Sequence, residues 1–91
     1  MNHSFDIQVA EEIGLNEAIL LQHIGFWIQR NLANKRNIHE GTTWTYNSRR
    51  AFNIIFPYLT QAKIKGAMNR LVDRGFILKE NFNEQIGRAH V

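Results

Sequence analysis

Apolar residues recur at helical spacing from residue 60 to 75, where Ile64, Met68, Leu71 and Gly75 share one face. Lys63, Lys65, Asn69 and Arg70 lie off that face. Thr60 stands where an N-cap belongs, and Gly75 reads as the stop. Directly after it, Phe76-Ile77-Leu78-Lys79-Glu80 alternates apolar and charged residues and predicts a short strand.

Upstream the pattern predicts three more helices. Residues 8–13 form a short one stopped by Gly14 and entered by Phe5 and Ile7. In the second, Asn16 caps, Glu17 meets the positive end of the dipole, and Leu15 and Leu20 take the staple positions. It runs to about Asn31, with Leu20, Ile24, Trp27 and Ile28 as its main stripe. Ile19 and Phe26 are apolar on another face, which favours a central place in the core over a dimer seam. Residues 33–42 are polar and predict a loop, and Thr43-Trp44-Thr45-Tyr46 a strand. Asn47 or Ser48 caps the third helix, which ends before Pro57 with Phe52 and Phe56 facing inward. The strand at 76–80 is expected to pair with residues 44–46, and residues 81–83 to begin a turn.

Two short helices separated by a few residues, followed by a basic strand, are the pattern of a winged helix-turn-helix. The expected fold class is mainly α with a small β-sheet. The wing is expected to be truncated for a separate reason. The last residues, Ile86-Gly87-Arg88-Ala89-His90-Val91, translate ATC GGA AGA GCA CAC GTC, the inner part of a common short-read sequencing adapter. They are therefore set aside as an artefact. Residues 1–85 are read as one domain, an N-terminal fragment.

Charge adds an anionic partner to this picture. Residues 1–40 carry three Lys/Arg against five Asp/Glu, a net of −2, whereas residues 41–85 carry seven against three, a net of +4. There is no cysteine, hence no disulfide or thiolate metal site. No apolar run approaches the ~20 residues of a membrane span, and residues 1–8 lack the features of a signal peptide, so a cytoplasmic location and no membrane partner are expected.

The helix at 60–74 is the candidate for the major groove, whose width admits a helix with its first turns at the base edges. Thr60 and Gln61 open it, Lys63 and Lys65 suit phosphate or guanine, Asn69 suits base or sugar, and Arg70 the backbone. Gly66 lies on the exposed side and costs roughly 1 kcal/mol against alanine, which a close approach to another backbone would explain. Arg49 and Arg50 suit phosphate clamping, and Lys79 a place on the wing. Taken singly, each cation fits a solvated surface better than a ligand contact; the constellation favours DNA. Trp27, Trp44, Phe52, Phe56 and Phe76 are in phase with core positions, which favours packing over base stacking. His3, His23 and His39 lack ligand spacing, and no serine has a positioned base. Neither a metal, a cofactor nor an enzymatic activity is expected.

Four blocks carry a family resemblance: IGLNEAILLQHIGFWI at 13–28, GTTWTYNS at 41–48, FPYLT at 56–60 and IKGAMNRLVDRGFI at 64–77. Across residues 15–82 the chain resembles the N-terminal winged-helix domain of phage and prophage replication initiator proteins, also called replisome organisers, of Firmicutes-type bacteria. The resemblance implies origin binding on double-stranded DNA, with helicase-loading machinery recruited through a C-terminal region that these residues do not include. Repeated origin sites imply self-association on DNA. The sequence departs from the family at Arg49-Arg50, where members often have an aromatic and an acidic residue, and in ending inside the wing. A phage transcriptional regulator of the same fold and a winged-helix protein-interaction module remain as alternatives.

Overall fold

In the computed structural model the chain runs α1 (Ile7–Ile13), α2 (Leu15–Ala33), β1 (Ile38–His39), β2 (Thr42–Tyr46), α3 (Arg49–Ile55), α4 (Gln61–Asp73), β3 (Ile77–Glu80) and β4 (Gln85–Arg88). The structure describes residues 2–39, 42–46, 49–80 and 85–88, with the backbone alone at 39, 43, 44, 46, 49, 79, 80, 85, 87 and 88. The fold is mainly helical with a small antiparallel sheet.

Local chemistry sets most helix ends. Asp6 caps α1 by accepting a hydrogen bond from the Val9 N–H at 3.2 Å. Gly14 then serves as both the end of α1 and the N-cap of α2, at φ 121° and ψ 157°, a region open almost only to glycine. A Cβ there would stand 2.9 Å from Glu17 Oε2. The cap expected at Asn16 is thus displaced by two residues: the helix starts at Leu15, and Leu15 is exposed rather than stapled. Thr60 caps α4 as expected, accepting from the Lys63 N–H at 3.1 Å. At the other end Gly75, at φ 78°, lets its own N–H reach Val72 O at 3.0 Å and the Phe76 N–H reach Leu71 O at 2.9 Å. These two bonds make a Schellman stop.

The core gathers around α2. Leu20, Ile24 and Ile28 meet Phe52 and Phe56 of the α3 region, Ile64, Ala67, Met68 and Leu71 of α4, Leu59 of the turn, and Ile77 and Ile86 of the sheet. Phe76 packs against this cluster. Two stripe assignments need correction. Trp27 is 37% exposed and stacks edge-on against His23, and Phe26 is 56% exposed rather than buried. The core side of α2 is centred on Leu20, Ile24 and Ile28, which turns both aromatics outward.

The sheet order is β1-β2-β4-β3, antiparallel throughout. Residues 38 and 39, expected in a loop, pair with Thr43 and Thr42. β3 does not pair with β2; β4 lies between them, with Ile86 opposite both Thr45 and Lys79. The expected truncation after residue 85 is therefore corrected: β3 and β4 form an antiparallel pair. Burial explains it, since Ile86 is β-branched, 1% exposed and in contact with the core cluster. The codon correspondence concerns where residues 86–91 come from, not whether they pair. Residues 81–84 and 89–91, and the Asn47 or Ser48 cap, lie outside the described residues.

Candidate nucleic-acid interface

α4 divides cleanly into two faces. Ile64, Ala67, Met68 and Leu71 are buried against the core. On the opposite side Ala62, Gly66, Asn69 and Asp73 follow one another at helical spacing and form the outermost ridge. Lys65 and Gln61 flank this ridge on one side, Lys63 and Arg70 on the other; all four are exposed. The helix therefore offers a low ridge of small residues between two basic margins. Asp73 is the one acidic residue of α4 and stands in its last turn with Arg70, whereas Lys63 and Lys65 stand in its first two turns.

A turn holds α4 against α3. The Phe56 N–H bonds to Phe52 O, the Leu59 N–H bonds to Phe56 O, and Asn53 Nδ2 donates to the Leu59 carbonyl. Pro57 sits in this turn and ends α3 at Ile55, as its missing N–H requires. Phe52, Phe56 and Leu59 then anchor the turn to the core.

The candidate side chains do not all stand in the same condition. Lys63, Lys65, Asn69 and Arg50 are exposed. The Thr60 hydroxyl is occupied as a cap, so its first role is to start the helix. Arg49 opens α3 and Lys79 lies in β3 opposite Ile86; their side chains are outside the described residues. Gly66 gains no explanation from within the fold. A Cβ built on it would meet only Arg70 Nη1, at 3.7 Å, an ordinary contact.

Arg70 has a second job that its place on the helix conceals. Its Nη2 donates to Glu17 Oε1 at 3.0 Å and to Oε2 at 3.3 Å, across from α4 to the first turn of α2. The Glu17 side chain is 4% exposed, that of Arg70 55%. A carboxylate buried to this degree needs its counter-ion, so Arg70 latches α4 to α2 before it does anything else. To the backbone contact expected of Arg70 the structure adds this ion pair within the fold. Glu17, read from sequence only as a dipole partner, is the residue that was missed. A companion pair, Arg74 Nη2 to Glu12 Oε1 at 3.7 Å, is exposed on both sides and contributes little.

His3 and His23 both pack against aromatic rings. His3 Nδ1 and the Tyr58 hydroxyl are 2.7 Å apart, and the His3 ring lies 4.4 Å from Phe56. His23 meets Phe52 and Phe56 edge-on, and burial, helped by the nearby His3, lowers its pKa below the ordinary 6.5. Burial raises the pKa of Tyr58. Among the described residues no three His, Asp or Glu side chains are grouped to hold a metal, and no helix is long and apolar enough to cross a membrane.

No family model, curated protein or solved structure matches this chain.

Proposed function

We propose that the chain is a double-stranded DNA-binding domain of the winged helix-turn-helix kind, with α4 entering the major groove and the β3–β4 pair as the wing. The observation that carries this reading is the outer ridge of α4. A helix whose line opposite the core is Ala62, Gly66 and Asn69 can approach a groove floor closely, while Lys63 and Lys65 reach phosphates on its two sides. Asn69 is the ridge side chain with paired donor and acceptor, the chemistry that reads adenine. Arg50 lies on the preceding helix, where it can add a backbone contact.

The role that best suits such a domain, given the four resembling blocks, is origin recognition in the replication of a phage or mobile element. Binding of this kind is measured by titrating labelled duplex DNA with the protein at low salt, then selecting preferred sites from a random-sequence pool. The reading expects measurable duplex affinity and an enriched site. Absence of affinity at low salt would leave α4 as a surface for another protein.

A further inference from the structure

The latch between α2 and α4 is built in a way that stability alone does not explain. Glu17 reaches it from the first turn of α2, where the helix dipole favours a carboxylate. Gly14 leaves room for that carboxylate, since a Cβ there would stand 2.9 Å from Glu17 Oε2. From α4 the Arg70 Nη2 donates to both carboxylate oxygens, at 3.0 and 3.3 Å. A pair of this kind contributes little net stability, because desolvation offsets the attraction and apolar packing would serve as well. The asymmetry of the pair is the informative part. Glu17 is enclosed, whereas the Arg70 side chain is half exposed. Its Nε and Nη1 have no hydrogen-bond partner among the described residues. Nη1 also lies against the ridge of α4, where a Cβ built on Gly66 would stand 3.7 Å from it.

We propose, resting on the DNA-binding reading of α4, that Glu17 is a positioning residue for base readout. It holds the Arg70 guanidinium so that Nη1 donates to the major-groove edge of a guanine. Three properties select guanine over a phosphate. The Glu17 carboxylate offsets the Arg70 charge, which weakens attraction to a phosphate more than it weakens a directed hydrogen bond. A guanidinium offers donors only, and the guanine edge, N7 and O6, offers acceptors only. The ridge beside Nη1, formed by Ala62, Gly66 and Asn69, has no side chain longer than asparagine to hold the helix off the groove floor. Fixing the planar fork in the free protein also lowers the ordering cost of binding. Lys63 and Lys65 form no ion pair among the described residues and keep the phosphate role.

Duplex titrations of wild type, Glu17→Gln and Arg70→Lys test it, with the site recovered from the random-sequence pool and a scrambled duplex of equal length. Glu17→Gln keeps an acceptor of the same shape without the charge; Arg70→Lys keeps the charge without the fork. Glu17→Gln is expected to lose roughly three- to tenfold in affinity for the site. It should bind the scrambled duplex as well as wild type or better, since a negative charge is gone. Replacing a contacted guanine by 7-deazaguanine, which lacks the N7 acceptor, is expected to weaken wild type roughly fivefold and Arg70→Lys hardly at all. Both affinities changing in parallel in Glu17→Gln would mark the latch as structural only and overturn the proposal. A site in which no guanine distinguishes wild type from Arg70→Lys would overturn it too, and that arm does not depend on how well Glu17→Gln folds. Wild type without duplex affinity would overturn the DNA-binding reading and this proposal together. Wild type that binds, with an unchanged site preference in Glu17→Gln, would overturn this proposal alone.

Discussion

α2 and α4 each carry a glycine in mid-helix with open space around it, yet the two glycines stand in opposite surroundings. Gly66 on α4 lies between Lys63, Lys65 and Arg70; Gly25 on α2 lies in a stretch of twelve residues, 18–29, without a formal charge. Neither position has a φ that demands glycine, and alanine would fit at both. What differs is the partner each surface suits. A low ridge with basic margins suits a polyanion held by phosphate contacts, and a low point beside an exposed phenylalanine suits an apolar surface. The same local sacrifice of helix stability thus reads in two ways, and the neighbouring charges decide which.

The largest effect expected on this comparison is destructive. Arg70→Ala leaves the Glu17 carboxylate buried without a counter-ion, at a cost on the order of 2–3 kcal/mol. That is less than for a fully enclosed pair, because Arg70 is half exposed and water can enter in its place. A urea titration should show the lower midpoint, and a midpoint equal to wild type would mean that the latch carries no stability. Arg70 is accordingly a poor probe of the α4 surface, and Lys63 and Lys65 are the better ones. Changing both lysines to alanine should reduce duplex affinity by roughly tenfold and flatten its salt dependence by about two units of slope, with no change in the urea midpoint.

Smaller effects sharpen the contrast between the glycines. Gly66→Ala should stabilise the fold by roughly 0.5–1 kcal/mol while weakening duplex binding, whereas Gly25→Ala should stabilise by a similar amount and leave duplex binding unchanged. Thermal melts and parallel DNA titrations of the two variants would read this directly. Equal effects on DNA would erase the distinction.

The least effect concerns pH. His23 has its pKa lowered by burial, so the unfolded chain binds more protons than the native one as the pH falls. Its contribution is fully present above 6.5 and is lost progressively as the pH drops below that value. Urea midpoints should decline across that window in wild type and less so in His23→Gln.

How much of this was legible in the sequence follows from the range of each signal. Thr60 and Gly75 act on their own helix within a few residues, and both ends of α4 were readable from them. Pro57 ends α3 for the same local reason. The Glu17–Arg70 latch joins positions 53 apart in the chain, and no periodicity announces such a pair. The rotation of α2 that exposes Phe26 and Trp27 depends on the Gly14 corner and on packing against α4 and the sheet. Helical spacing alone left that undetermined. The placement of β4 between β2 and β3 was missed because residues 86–91 were excluded by their codons, while the burial of Ile86 depends only on its side chain.

The central claim is that the outer ridge of α4 meets DNA phosphates through Lys63 and Lys65. Its most direct test is the slope of log affinity against log salt for duplex DNA, measured in parallel for wild type and for the Lys63→Ala/Lys65→Ala variant. The account predicts a steep negative slope in wild type and a slope shallower by about two in the variant. Identical slopes in the two proteins, or no duplex affinity at low salt, would contradict it.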